Sequence, residues 1–301
     1  MKVDLVICTR NPDPAILKMV IDSIHKQSGQ YDRLIIIDNG SNPPVTELGF
    51  KFEQETRVFF EKNPGLIHAR VLGLRKSSAD LIIFVDDDNE LANSYVEVAV
   101  NFMASNPNVG TIGGVCRLPS NYKFRKVLGP LIEGLGIRNY GNSILIGNSV
   151  EWGKSEPIGA GMVLTREVAD NFIRKYEQFP LVRSLGRGAK SILGGEDAYI
   201  VRCAYELGRS SAYVPQLQLT HWIGEHRLGF KYLLRLSYGY GRSRVRLNRA
   251  LEESSMPSAP ISPMKGQLRK SLLFRLKQHP IRGVFYFAGD LGELRESLTK
   301  I

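Results

Sequence analysis

Cysteine is scarce in this sequence. Its 301 residues include three cysteines, Cys8, Cys116 and Cys203, which are scattered, odd in number and form no CxxC pair. That pattern argues against a zinc site and against a disulfide framework. A chain with neither is typical of a reducing compartment, so we expect a cytoplasmic location.

Long hydrophobic runs are also absent from the sequence. No stretch reaches the ~18 uncharged apolar residues that a membrane-spanning helix needs. The opening MKVDLVICTRN meets charge too early for a secretory signal. The sequence therefore predicts a protein that is soluble or bound at a membrane surface.

Basic residues are in clear excess. The 40 Lys and Arg against 30 Asp and Glu give a net charge of +10. Residues 225–301 hold fifteen basic and six acidic side chains, so an excess of nine lies at this end of the chain. Such a surface favours phosphates, an anionic membrane surface or nucleic acid as partner. The content of 43% hydrophobic and 23% charged residues is typical of a folded globular chain.

Strand-like and helix-like segments alternate along the chain. Apolar runs ended by turn residues predict strands, and apolar residues spaced by three or four predict helices. The predicted strands are 3–8, 33–38, 58–61, 81–85, 111–115 and 158–164, and the predicted helices are 14–27, 66–78, 91–105 and, after a glycine turn, 193–207. Residues 253–266 are rich in Pro and Ser and predict a loop or linker. The alternation indicates an α/β domain with a mainly parallel sheet.

Polar residues follow three of the predicted strands. They are Thr9-Arg10-Asn11, Asp38-Asn39-Gly40 and Asp86-Asp87-Asp88. The carboxyl ends of parallel strands meet at one edge, and open α/β sheets bind their ligands there. We therefore expect the three groups to face a common site.

The acidic triplet raises a physical question, because three adjacent carboxylates repel each other. In a solvated turn the triplet would carry no function. Alternatively, its carboxylates bind a hard cation such as Mg²⁺ or Mn²⁺, whose preferred ligands are carboxylate and phosphate oxygens. The apolar strand before the triplet and the basic composition favour the metal site.

Other side chains near this edge are candidates for nucleotide binding. Asp38 can accept a hydrogen bond from the imino N–H of a nucleobase, or it can cap the following turn. Arg10 and Arg70 can pair with phosphate or base, or lie in solvent. Gly65 allows a ligand to approach the backbone closely, or it only forms a turn.

Two acids follow a glycine pair in the segment GGEDAYI. At a predicted helix start, Glu196 and Asp197 are favoured by the helix dipole, or one of them acts as general base toward an acceptor hydroxyl. His221 is a candidate metal ligand or phosphate contact, with a structural role as the alternative. The residue types alone leave these alternatives open.

Five segments, in this order, resemble the motifs of the family-2 glycosyltransferases. They are VICTRN, IIIDNGS, NPGLIHARVLGL, FVDDDN and GGEDAYI, within residues 3–225. The resemblance implies a Rossmann-like GT-A domain at 1–225, with a mainly parallel sheet and flanking helices, and a basic, mostly helical extension at 226–301. It also implies transfer of a sugar from a nucleoside-diphosphate sugar to an acceptor hydroxyl, with inversion at the anomeric carbon.

The resemblance further implies roles for individual residues. Asp197 would be the catalytic base, with Glu196 as its neighbour and substitute, and Asp38 and Arg70 would hold the nucleobase. The remaining implied sites are the nucleotide pocket at Thr9, Arg10, Gly65, Asp86 and Asp87, a Mg²⁺ or Mn²⁺ site at Asp88, Asp86 and His221, and the acceptor side at Gly159, Ala160, Gly161 and Trp222. Gly159-Ala160-Gly161 would belong to a strand beside the acceptor.

Donor and acceptor are constrained in part. Asp38 suits UDP-, dTDP- and GDP-linked donors, whose bases offer an imino N–H, and disfavours cytidine. The sequence contains neither the QxxRW motif of processive synthases nor the membrane helices that follow it, which indicates single additions. YGYGRSRVR and FRLKQHPIRG mix basic and aromatic residues. This mixture suits an anionic membrane surface or a lipid-linked acceptor, hence an enzyme at the inner face of a membrane, with a solvated basic face as the alternative.

Three other classes share part of this pattern. A haloacid-dehalogenase-type phosphatase also places Asp-x-Asp after a strand, but it requires Thr or Val where Glu90 stands. A sugar nucleotidyltransferase usually opens with a glycine-rich loop, and VICTRN has no glycine. In a nucleic-acid-binding protein the acidic triplet would repel the phosphate backbone unless a metal intervened, so no nucleic acid partner is expected.

Overall fold

A mixed sheet with helices on both faces organises the chain. In the computed structural model of the protein, the described residues are 1–123, 128–149, 152–188, 193–258, 276–277 and 279–299. Within them the sheet has nine strands in the order β3-β2-β1-β4-β8-β6-β9-β5, with β7 paired to β9. The strands are β1 Val3–Thr9, β2 Arg33–Asp38, β3 Thr56–Phe60, β4 Leu81–Asp86, β5 Asn89–Leu91, β6 Val109–Arg117, β7 Leu145–Gly147, β8 Val163–Thr165 and β9 Ser210–His221.

Strands β3, β2, β1 and β4 are parallel, as the sequence predicts. Beyond β4 the sheet is mixed, because β8 runs antiparallel to both β4 and β6 while β6 and β9 are parallel. Leu5, Val6 and Ile7 follow one another in β1, so their side chains point alternately to the two faces of the sheet. All three are fully buried, because helices cover both faces. The predicted α/β fold class is confirmed.

Nine α-helices lie within the described residues. They are α1 Pro14–His25, α2 Leu66–Lys76, α3 Tyr95–Ser105, α4 Gly129–Ile132, α5 Arg166–Gln178, α6 Pro180–Arg183, α7 Glu196–Glu206, α8 Phe230–Glu253 and α9 Pro280–Leu298. Helix α1 illustrates how local sequence sets a boundary. The Asp13 carboxylate accepts hydrogen bonds from the N–H groups of Ala15 and Ile16, at 2.9 and 3.2 Å, and Pro14 fits the first helical position.

Two of the predicted elements begin well after their predicted first residue, whereas the other boundaries differ by only a few residues. The predicted helix at 91–105 begins at Tyr95, because Leu91 belongs to β5 and pairs with Leu219 of the distant β9. The predicted strand at 158–164 is a turn as far as Gly161, whose φ of +72° is incompatible with a continuous strand. The Gly161 carbonyl accepts a hydrogen bond from the Tyr95 hydroxyl at 2.5 Å, and Val163 is the first strand residue.

The predicted loop at 253–266 falls partly within the described chain. Residues 254–258 form a turn and an irregular segment after α8, and those from 259 onward lie outside the described residues. The predicted helical character of the C-terminal extension is confirmed by α8 and α9. The division at residue 225 stays a prediction, although Ala250 and Leu251 of α8 are buried in the same hydrophobic cluster as Tyr199 of α7.

Helices α8 and α9 pack closely in parallel. A Cβ atom at Gly241 would overlap the carbonyl oxygen of Gly289, and one at Gly292 would overlap that of Tyr238, so the backbones are nearly in contact. Further along, the Glu296 carboxylate accepts hydrogen bonds from Arg242 and Arg246, at 2.7 and 2.6 Å. Close packing at the glycines and the ion pairs of Glu296 with Arg242 and Arg246 therefore hold the two C-terminal helices together.

Candidate active site

A cavity of about 590 Å³ opens at the carboxyl ends of β1 and β4. The strand register places Thr9 beside Asp38 and Cys8 beside Asp86, so the polar residues after these strands share one edge. The opposite walls come from the start of α7 and from α8, which supplies Tyr240 and other side chains. The cavity therefore joins the predicted nucleotide edge to the helical extension.

The three carboxylates of the acidic triplet point to three different partners. Asp86 lies 3.4 Å from the Arg70 guanidinium, and Asp87 accepts a hydrogen bond from the Thr9 hydroxyl. Asp88 lies 3.0 Å from Nε2 of His221 and 3.5 Å from Nη1 of Arg227. The protein thus separates the charges and compensates two of them with its own cationic side chains.

Burial and neighbours act in opposite directions on the pKa values of Asp87 and Asp88. Burial, reinforced by the charge of Asp88, raises the pKa of Asp87 to about 7. Burial also opposes ionisation of Asp88, but His221 and Arg227 outweigh it and lower the pKa of that carboxyl. Near pH 7 Asp88 is therefore ionised while Asp87 is only partly ionised, which reduces the repulsion between them.

Arg70 joins the acidic triplet to the start of α7. Its buried guanidinium lies 3.0 Å from Glu196 in addition to its contact with Asp86, and it stacks 5.0 Å from the ring centre of Phe84. Burial alone would lower the pKa of Arg70, but the charges of Glu196 and Asp86 outweigh this effect and raise the pKa. A Cβ atom at Gly159 would overlap this guanidinium, so glycine there makes room for it.

Glu196 and Asp197 have different surroundings although they are adjacent. Glu196 is buried, its Oε2 atom has no hydrogen-bond partner among the described residues, and burial raises its pKa despite the contact with Arg70. Asp197 is half-buried, and its carboxylate accepts hydrogen bonds from the N–H groups of Gly159 at 3.2 Å and Ala198 at 2.8 Å. Asp197 is the more accessible of the two, and it is held beside the turn predicted to face the acceptor.

The structure leaves several other predicted site residues at the edge of the cavity or apart from it. Asp38 is buried and accepts N–H hydrogen bonds from Ser41 at 2.7 Å and Val45 at 2.9 Å, so its carboxylate stabilises the turn that follows β2. Arg10 is exposed, and Trp222 donates to Glu90 at 2.8 Å.

The predicted site glycines lie at different distances from the cavity. Gly65 precedes α2 with a φ of +139°, and its N–H donates to the Asn39 side chain at 2.7 Å. Gly159 and Ala160 line the cavity, whereas Gly161 faces Tyr95 behind it.

Sequence reasoning missed cavity residues that lie outside the recognised motifs. Among them are Trp152, Arg187, Arg227, Tyr240, Ser243 and Arg244. Tyr240, Ser243 and Arg244 lie in the basic and aromatic segment YGYGRSRVR. No local pattern assigns any of the six to this cavity, however, because folding brings them together from four separate segments. The one usable signal was compositional, since three of the six are arginines in a chain with a basic excess.

The residues around Asp88 fit a divalent cation. No three His, Cys, Asp or Glu side chains among the described residues converge as a complete metal site. Asp88 and His221 do lie side by side, at a spacing that allows both to bind one ion, and Nδ1 of His221 is buried with no hydrogen-bond partner in the described part of the chain. Mg²⁺ commonly binds one or two protein side chains, while phosphate oxygens and water complete its coordination shell.

Comparison with solved structures identifies the class of fold. The crystal structure of GalNAc-T7 with UDP, GalNAc and Mn²⁺ superposes with a TM-score of 0.54 at 16% identity, covering 93% of this chain and 58% of that one. Together with the mixed sheet and its flanking helices, this match defines a GT-A glycosyltransferase fold. The sequence model of Glycosyl transferase family 2 matches residues 4–172, and the chain belongs to that family.

Curated relatives agree with this membership. A glucosyl-dolichyl phosphate glucuronosyltransferase of Haloferax volcanii is 22% identical over 81% of this chain and 76% of its own length. An uncharacterized glycosyltransferase of Haemophilus influenzae is 36% identical over 35% of this chain and 44% of its length. A cholesterol galactosyltransferase of Borreliella burgdorferi is 28% identical over 33% of this chain and 28% of its length. The matches thus span less than half of the last two relatives.

Proposed function

We propose that this glycosyltransferase moves a hexosyl group from a nucleoside-diphosphate sugar to an acceptor hydroxyl, with inversion at the anomeric carbon. The observation that carries the proposal is that Asp88, His221 and Asp197 all line one cavity. A cation-binding pair and an accessible carboxylate are the two elements that this reaction needs. The product belongs to cell-surface polysaccharide, glycolipid or another glycoconjugate.

The donor is proposed to bind across the strand edge. Asp88 and His221 would hold Mg²⁺ or Mn²⁺, with Asp86 close by, and the bound ion would stabilise the charge of the leaving diphosphate. Asp38 would accept the imino N–H of a uridine, thymidine or guanosine base, since a carboxylate that accepts two N–H groups retains free lone pairs. The donor pocket would be completed by Thr9, Arg10, Gly65 and Asp87.

Asp197 is proposed to remove the proton from the acceptor hydroxyl as it attacks the sugar. The two backbone N–H groups on its carboxylate fix its orientation without neutralising its charge. Glu196 is proposed to orient Arg70, because its carboxylate is buried against that guanidinium. Arg70 in turn would hold Asp86, and its two ion pairs favour this positioning role over contact with the nucleobase.

The acceptor is proposed to be lipid-linked. The cavity wall opposite the strand edge includes Trp152, Ile158 and Leu247, which offer apolar surface beside the proposed base. Two of the relatives are named for lipid or lipid-linked acceptors, cholesterol and glucosyl-dolichyl phosphate. The enzyme would then work in the cytoplasm, at the inner face of a membrane.

A donor panel tests this function. The protein is incubated with UDP-, dTDP-, GDP- and CDP-sugars, with and without a bacterial lipid extract, in Mn²⁺, Mg²⁺ or EDTA, and released nucleoside diphosphate is measured. We expect release from one donor class that increases with lipid and stops in EDTA. Release that is equal in EDTA would contradict the metal assignment, and no release from any donor would contradict the transfer reaction.

A further inference from the structure

Helix α9 differs from a normal surface helix of a water-soluble protein in the placement of its acidic residues. All three of its acidic residues, Asp290, Glu293 and Glu296, are buried. Its exposed positions are instead Pro280, Ile281, Tyr286, Arg295 and Leu298, with no acidic residue among them. A solvated helix places charge outward and apolar side chains inward, so this distribution needs an explanation.

The buried acids belong to the contact with α8. Glu296 is paired with Arg242 and Arg246, and Glu293 lies 2.5 Å from Arg244. Arg244 is also a residue of the cavity wall. Helix α8 therefore separates α9 from the cavity, with one face toward each, and the acidic side of α9 is occupied.

An apolar stripe runs along the side of α9 that faces away from α8. It consists of Ile281, Val284, Phe287, Leu291, Leu294 and Leu298. The intervals of three and four residues keep these side chains on one face of the helix over its whole length. Ile281 is 47% exposed and Leu298 62%, and the other four are half-buried. None of the six belongs to the hydrophobic clusters formed by the described residues.

The charges around the stripe identify its occupant. Arg295 is exposed on the flank of the stripe, and Lys277 is exposed just before α9. Because the two helices are parallel, Lys231 and Arg235 at the start of α8 are exposed at the same end as Ile281. The exposed charges beside the stripe and at its Ile281 end are basic and complement an anionic bilayer surface, whereas two such faces from two copies would repel each other. The acids Glu252 and Glu253 are exposed at the other end of α8.

We propose that the stripe of α9 is a membrane-docking face that lies in the interface of an anionic bilayer. No helix within the described residues is long and apolar enough to cross a membrane. A helix with one apolar face and a basic rim can instead bury that face at the boundary between headgroups and acyl chains. Docking through α9 would hold the cavity wall formed by α8 one helix diameter, ~10 Å, from the bilayer. This proposal depends on neither the donor nor the catalytic base.

Vesicle binding by the full chain tests the proposal. Sedimentation is measured with vesicles of phosphatidylcholine alone and of phosphatidylcholine mixed with phosphatidylglycerol. We expect binding to the anionic vesicles, and Phe287→Asp should weaken it about tenfold or more, because an aromatic side chain that inserts into the bilayer is replaced by a charge. Phe287→Leu should retain binding, since the face stays apolar.

Tyr286→Asp is the matched control. It places the same charge at the neighbouring aromatic residue, about 100° around the helix and outside the stripe, and it should bind anionic vesicles like the unchanged protein. Thermal unfolding of all variants shows that the fold is retained. Equal weakening by Tyr286→Asp and Phe287→Asp would overturn the proposal, as would absence of vesicle binding. A dimer that Phe287→Asp converts to a monomer, without vesicle binding, would assign the stripe to a second copy instead.

Discussion

Replacing Asp197 by Asn is expected to lower the transfer rate about 10²- to 10⁴-fold, the usual contribution of a general base. The amide keeps nearly the same shape and one oxygen acceptor, but it cannot take the proton of the acceptor hydroxyl. Binding of the nucleoside diphosphate should remain unchanged, because Asp197 is proposed to touch only the acceptor. The two readouts are steady-state diphosphate release with saturating donor, and calorimetry with the diphosphate.

Glu196→Gln is the comparison that separates the two adjacent acids. The amide oxygen can still accept the hydrogen bond that Arg70 donates at 3.0 Å, so we expect a smaller loss of rate than for Asp197→Asn. The assignment is reversed if the Gln variant loses most of the activity while Asp197→Asn retains it. That result would identify Glu196 as the base, in spite of its burial.

Arg70→Met should produce the largest loss of stability. It leaves Glu196, and in part Asp86, without a counter-ion inside the protein. Removing one partner of a buried ion pair typically costs about 3–5 kcal/mol of unfolding free energy. Urea denaturation measures the change, and we expect activity to fall with it because the start of α7 is no longer held against the acidic triplet.

Two further variants serve as controls for the expected loss of stability in Arg70→Met. Arg75→Met removes an arginine from the same helix, but its 2.5 Å pair with Glu177 is at the surface, where such pairs contribute about 0–1 kcal/mol. The double variant Arg70→Met/Glu196→Leu should regain much of the lost stability, because no unpaired charge remains on Glu196. If Arg70→Met and Arg75→Met have equal effects on stability, the buried network does not hold the site together.

The strand edge could be predicted from sequence because its signals are local. Each strand from β1 to β4 is an apolar run followed by polar residues, and parallel pairing brings the carboxyl ends of these strands to one edge of the sheet. Thr9, Asp38 and Asp86 are therefore close in the structure for the same reason that they stand out in the sequence. Family membership followed from the same local motifs in their order along the chain.

Contacts between distant segments could not be predicted in this way. The pairing of β5 with β9 brings His221 to Asp88 across more than a hundred residues, and it also shortens the predicted α3. Nothing near Arg70 in the sequence indicates Glu196 as its partner. The packing of α9 on α8 depends on glycines whose role is visible only when the two backbones are in contact.

The burial of acidic residues in α9 could not be predicted from hydrophobic periodicity alone. Its sequence alternates apolar and polar residues as any amphipathic helix does, so periodicity alone assigns the apolar stripe to a protein core. The glycines are small, however, and they select the opposite face for packing against α8. Only the three-dimensional contacts show which face is left outside.

Calorimetry shows whether Asp88 and His221 form a metal-dependent site for a nucleoside diphosphate. UDP, GDP, dTDP and CDP are titrated into the protein with Mn²⁺, with Mg²⁺ and with EDTA. The same titrations are made with Asp88→Ala and with Asp170→Ala, which removes an exposed carboxylate 3.3 Å from Arg166. We predict that one diphosphate other than CDP binds only with metal, that Asp88→Ala abolishes this binding, and that Asp170→Ala preserves it. Equal binding in EDTA, or no diphosphate binding at all, would contradict the site.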